Sequence, residues 1–112
     1  MSRLMSEHSY ELMQLCNSLP AGIGYSSISA LNEIFNKYLK ILDYVNSYNE
    51  SYRSATRIYY TDISNIWDNI QDLLNTESIL EKERAFENAK RELKTDLHSL
   101  ALLIKPEGQY AE

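Results

Sequence analysis

Glycine and proline are scarce in this chain. Three glycines and two prolines occur in 112 residues, and all five lie within 20–24 or 106–108. From Tyr25 to Lys105 neither residue appears. So long a stretch without a strong breaker excludes an architecture of many short strands joined by tight turns and favours long helices. Cysteine is limited to Cys16, so no intramolecular disulfide can form and nothing points to an oxidising compartment. Long apolar runs are also missing. The longest, 100–104, is far shorter than the ~18 residues that a membrane span needs. Glu7, His8 and Glu11 stand where a secretory leader would need an apolar centre, so a cytoplasmic protein is expected.

Catalytic inventory is equally thin. The two histidines, His8 and His98, have no serine or cysteine motif around them, and His8 reads as a core-edge or surface side chain near Leu12. Glu-x-x-His pairs of the di-iron bundles do not occur, and the Cys/His ligands of a zinc site are lacking. Gly22-Ile-Gly24 follows no strand and precedes no Gly-Lys-Ser, so it reads as a helix–helix connection and not a phosphate loop. The expectation is no enzyme, no metal and no cofactor. A net charge of −5 disfavours direct nucleic-acid binding or an anionic membrane. The basic residues of 82–94 are interleaved with glutamates and form a neutral solvent face.

What the chain has in abundance is helical periodicity. Leu4, Met5, Leu12, Leu15, Cys16 and Leu19 define a first helix over about 2–18, stopped by Pro20 and Gly22. Leu31, Tyr38, Val45, Tyr52, Tyr59, Ile66 and Leu73 then recur every seven residues. Unbroken, 27–75 would span ~73 Å at 1.5 Å per residue, too long for a compact domain of this size. Ser47-Tyr-Asn-Glu50 has the form of a capping box, and Asn49 and Ser51 are further N-cap candidates, so helices over 27–47 and 50–75 are expected. Ser78-Ile-Leu-Glu81 is a second capping box and opens a helix over 78–104, in which Ile79, Phe86, Leu93 and Leu100 repeat at seven. Residues 106–112 are expected to form a frayed tail. The whole chain, 1–112, then reads as a single all-α domain, a compact bundle of three to four helices with a long heptad-patterned middle segment.

Acid and tyrosine are concentrated together. Residues 43–74 carry five acids against Arg53 and Arg57, and five of the nine tyrosines. Projected at ~100° per residue, Tyr59, Ile63, Ile66 and Trp67 fall on the core side, with Leu74 beside it. Tyr44, Ile58, Tyr60, Asp62 and Asn69 fall on margins or away from the stripe, with Asp68 and Asp72 on the outer face. These seven are the candidate partner-binding residues, because tyrosine buries much area at low entropic cost and carboxylates steer a basic partner. Ile58-Tyr59-Tyr60 resembles the tyrosine pair of the small acidic immunity proteins that neutralise colicin-type nucleases. The resemblance covers three residues; Thr61 stands where that family has proline, and the acidic run that follows there is missing.

The functional expectation is a small acidic inhibitor of immunity-protein, antitoxin or phage counter-defence type that occludes a basic protein, such as a toxin or nuclease. The alternative is a secretion chaperone or adaptor that binds a client helix in an apolar groove, where a homodimer or heterodimer would complete the heptad stripe.

Overall fold

A computed structural model describes residues 5–24 and 26–105. Helix covers 85% of these, and among them there is no strand, so the fold is an all-α bundle. Five helices follow one another: α1 Met5–Asn17, α2 Ser27–Tyr48, α3 Glu50–Ala55, α4 Arg57–Asn75 and α5 Ile79–Leu103. Leu4 and the tail beyond Lys105 lie outside the described residues.

The heptad phase sets the core. Leu31, Phe35, Tyr38, Leu42 and Val45 of α2 meet Tyr59, Ile66, Ile70 and Leu73 of α4 and Phe86, Leu93, Leu97 and Leu100 of α5, all buried. Met5, Leu12, Leu15 and Cys16 of α1 close the same cluster. α5 is the hub: α1, α2 and α4 all pack on it, α4 most extensively. Ser9 ties α1 to α5 by donating its hydroxyl to the Ala101 carbonyl at 2.8 Å.

Local chemistry fixes the helix ends. Asn49, with φ −159° and ψ 178°, leaves the helical region, and its side chain accepts from the Tyr52 amide at 2.8 Å. The break expected over 47–50 is therefore made by Asn49 acting as N-cap of α3, not by Ser47. Ser78 accepts from the Glu81 amide at 3.3 Å and caps α5 as its capping box predicts. A second interruption has no counterpart in the sequence pattern: the helix expected over 50–75 is divided at Thr56. This residue is fully buried; its hydroxyl donates to the Tyr52 carbonyl at 2.8 Å and accepts from Asn46 Nδ2 at 2.9 Å. A threonine that bonds back to the i−4 carbonyl bends a helix, and the Asn46 amide holds the bend against α2.

Ile79 departs from its expected place in the stripe and is 72% exposed. The connection between α1 and α2 lies along Glu83, Phe86 and Glu87 of α5, and Lys90 Nζ donates to the Ala21 carbonyl at 2.9 Å. Ile79 lies one turn before Glu83, ~6 Å further along the axis, at the first residue of α5 and past the cleft these residues line.

Candidate functional site

The two flanks of α4 differ in chemistry. On the flank toward α2, Tyr60, Trp67 and Leu74 recur every seven residues and stay 36%, 49% and 51% exposed. Their surroundings come from α2 and the loop before it. The Tyr60 hydroxyl donates to Asp43 Oδ1 at 2.6 Å, and Trp67 stacks beside Phe35 with ring centroids 6.5 Å apart. Leu74 forms one wall of a cleft of about 700 Å³ lined by Gly24, Ser26, Ile28, Ser29 and Asn32. Partly buried Leu39 and Ile63 add apolar surface packed against the core. The result is an apolar and aromatic stripe ~21 Å long. Burial and the bond to Asp43 raise the Tyr60 hydroxyl above its ordinary range, so the phenol stays a neutral donor.

Trp67 therefore corrects the sequence expectation, which placed it inside. α2 leans chiefly on α3 and α5, and touches α4 along a narrow line. Phe35 stacks against the indole, yet half of the Trp67 surface stays in contact with solvent.

The seven expected contact residues do not form one face. Tyr44 turns toward α1, its ring 4.5 Å from that of His8 and 6.1 Å from that of Tyr48, which in turn meets Tyr52 at 5.8 Å. This aromatic ladder joins α1, α2 and α3 and accounts for Tyr44 through packing within the molecule. Ile58 is 66% exposed, but it lies near the other flank of α4, away from Tyr60. Asn69 shares that flank and returns its amide to the Asn65 carbonyl at 3.0 Å. Asp68 and Asp72 lie on the outer surface of α4, both exposed. Only Tyr60 of the seven lies on the stripe.

Asp62 departs most from its expected role. It is partly buried on the side toward α5, and its charge acts on Asp96 there, which is only 5% exposed. Tyr38 of α2 donates its hydroxyl to Asp96 Oδ2 at 3.3 Å, and next to this the Tyr59 and Ser99 hydroxyls are paired at 2.6 Å. Burial, followed by Asp62 and then Glu92, pushes Asp96 up to about 7, while the Tyr38 hydrogen bond acts in the opposite direction. Burial and the Asp96 charge raise Tyr38 in turn. One signal in the sequence marks this cluster: Asp96 stands three residues after Leu93 and four before Leu100, a core position on any helical projection.

A further cleft of about 530 Å³ lies beside Cys16, Lys94, Thr95, His98, Ser99 and Leu102. Cys16 is buried, with its thiol directed at the Lys94 carbonyl at 3.8 Å. Among the described residues no group of three or more His, Cys, Asp or Glu side chains could hold a metal ion, and no helix is long and apolar enough to cross a membrane. Comparisons with models of known protein families, with curated proteins and with solved structures find no match to this chain. The likeness to immunity proteins stays confined to 58–60.

Proposed function

We propose that this protein binds another protein through the α2–α4 face and occludes it, as a small acidic inhibitor of immunity-protein, antitoxin or phage counter-defence type. The observation that carries the reading is the alignment of Tyr60, Trp67 and Leu74, half-exposed along one flank of α4. Large side chains lined up in this way are an uncovered apolar patch with polar edges, the usual composition of an interface centre. Asp43 meets it at Tyr60, Asp68 and Asp72 face outward from the same helix, and from 43 to 75 the only bases are Arg53 and Arg57. Arg53 is engaged by Glu50 at 3.5 Å. A partner with Lys or Arg around an apolar anchor is the chemistry that complements this face. The free thiol Cys16 suits a reducing, cytoplasmic setting.

A second reading, a chaperone or adaptor that takes a client helix, draws on the cleft of about 700 Å³ beside Leu74 and Ile28. Capture from the native host tests both. The bait would be the wild-type chain in parallel with the double variant Tyr60→Ala, Trp67→Ala. Under the inhibitor reading one protein is retained by wild type, released by raised salt and lost with the variant. Retention that resists salt and needs Leu74 and Ile28 instead would favour the client-helix reading. Equal retention by both baits would remove the α2–α4 face as the interface.

A further inference from the structure

Tyr60, Trp67 and Leu74 stand one residue after Tyr59, Ile66 and Leu73, which are buried. Both rows recur every seven residues, a rise of ~10.5 Å per interval. The inner row shows what such an interval accepts. It packs against α5, in which Phe86, Leu93 and Leu100 are buried at the same spacing of seven. Among the described residues no helix covers the outer row, and its members stay exposed.

α2 supplies a second wall that runs antiparallel to α4. Asp43, Phe35 and Ile28 stand opposite Tyr60, Trp67 and Leu74 in reverse chain order. Partly buried Ile28, Leu39 and Ile63 add to an apolar floor ~21 Å long. An extended strand does not fit this floor. Its same-face side chains lie ~6.7 Å and ~13.4 Å apart, out of step with anchors every ~10.5 Å. A helix with apolar residues seven apart stays in step along the whole stripe. The drift of about 20° per heptad between the anchors suits a shallow left-handed crossing.

Charge then selects among helices. Asp43 meets the stripe at Tyr60, and Asp68 and Asp72 are exposed on α4, whose single base is Arg57. The lysines of α2 are turned away from the stripe. Lys37 pairs with Glu33 at 3.5 Å, and Lys37 and Lys40 line a cleft with His8 and Glu11 of α1. A second copy of this chain would bring a further net charge of −5 against these acids.

We propose that the partner docks on the α2–α4 face through a basic amphipathic helix of about 15 residues or more. Its apolar residues, seven apart, seat on Tyr60, Trp67 and Leu74, and the Lys or Arg beside them reach Asp43 and the acids of α4. The inference rests on the proposed function for where binding occurs and adds the form of what binds.

A display library of random peptides of about 18 residues, five turns of helix, tests it. The library would be selected on the whole chain and counter-selected on the double variant Tyr60→Ala, Trp67→Ala. Peptides kept by wild type alone should carry large apolar residues at spacings of three, four and seven, with Lys and Arg in excess over Asp and Glu. A tryptophan-free synthetic copy should gain helical circular dichroism on binding and shift the emission of Trp67, the only tryptophan. Its affinity should fall about tenfold or more with Leu74→Asp, and should fall as salt is raised. Enrichment of alternating or acidic sequences, or of none, would overturn the helix. Alternating sequences that still need Tyr60 and Trp67 would overturn the helix and leave the α2–α4 face standing. Helical peptides kept equally by wild type and the double variant would remove the face as well. Dimerisation of wild type in sedimentation equilibrium, abolished in the double variant, would seat a second copy in the groove and overturn the basic helix. Should the double variant not fold, Leu74→Asp alone takes its place in the counter-selection.

Discussion

The two flanks of α4 reverse the ordinary distribution of side chains. Toward α5, a carboxyl pair and two tyrosine hydroxyls are drawn inward; toward α2, an indole, a phenol ring and a leucine are left half in water. Both arrangements cost stability. Burying a carboxyl without a counter-charge is tolerated only by keeping it protonated and hydrogen-bonded. Leaving Trp67 and Leu74 in water forgoes about 25 cal/mol for each Å² that could have been covered. The same helix meets its ordinary obligations between the flanks, where Tyr59, Ile66, Ile70 and Leu73 are buried. Departures from a packing rule that is otherwise kept are where function is sought first.

The largest effect should come from the band between the flanks. Ile66→Ala or Leu93→Ala removes a fully buried side chain at the α4–α5 seam and should destabilise by ~2–5 kcal/mol in urea denaturation. A cost below ~0.5 kcal/mol at both sites would mean that the comparison is drawn across the wrong axis of the helix. Circular dichroism should remain dominated by helix in both variants, because the loss is one of packing and not of backbone propensity.

The buried flank is sharpened by pH. Asp96 is held up to about 7, whereas in the unfolded chain an aspartate titrates near 3.9. Between those values the folded protein holds a proton that the unfolded chain has released, so this group's contribution is fully present below about pH 4 and is lost as pH rises through about 7. The total is on the order of 1–4 kcal/mol at about 1.36 kcal/mol per unit. Asp62→Asn removes the neighbouring charge and supplies an amide that can donate to Asp96, so the fall should end at a lower pH and be smaller. Thermal melts at half-unit pH steps would read this; an unchanged profile in Asp62→Asn would separate Asp62 from the titration.

Much of the fold is legible in the sequence because periodicity and capping are local. The seven-residue recurrence from Leu31 to Leu73 predicts which side chains are buried, and Ser78-Ile-Leu-Glu81 predicts a helix start that Ser78 makes. Thr56 is not legible, because its bend depends on Asn46 of another helix. The contact residues are less legible still. A projection of α4 alone ranks Trp67 near the core and Asp62 near its margin, yet which margin is covered depends on where α2 and α5 lie. α5 covers the side of Asp62, while α2 leaves the side of Trp67 open. Tyr44 escapes the projection for the same reason, since His8 arrives from α1 to meet its ring.

The exposed flank should respond weakly in stability. Trp67→Ala loses its stacking on Phe35 from a half-exposed position, so a cost of ~1 kcal/mol is expected, against about 3–5 kcal/mol for a tryptophan in a closed core. A loss in the core range would show that the indole is covered in solution and would withdraw it from the proposed face.

The smallest effect, and the most direct comparison, comes from making one chemical change on each flank. Tyr60→Phe and Tyr38→Phe each delete a single hydroxyl that donates to a carboxyl oxygen, at 2.6 Å on Asp43 and 3.3 Å on Asp96. Asp43 is exposed, so water replaces the lost donor and Tyr60→Phe should cost only ~0.5–1 kcal/mol, with no new pH dependence. Asp96 is buried, so water cannot enter without opening the junction, and Tyr38→Phe should cost ~1–3 kcal/mol. It should also move the pH profile, because the Tyr38 hydrogen bond favours ionised Asp96 and its removal drives that carboxyl further up. Denaturant midpoints for the two variants, measured near pH 5.5 and 8, decide between the possibilities. The expected pattern is a small pH-independent loss for Tyr60→Phe and a larger loss for Tyr38→Phe that widens at the higher pH. Equal losses at both pH values would mean that solvent reaches the two carboxyls alike, and the contrast between the flanks would not hold.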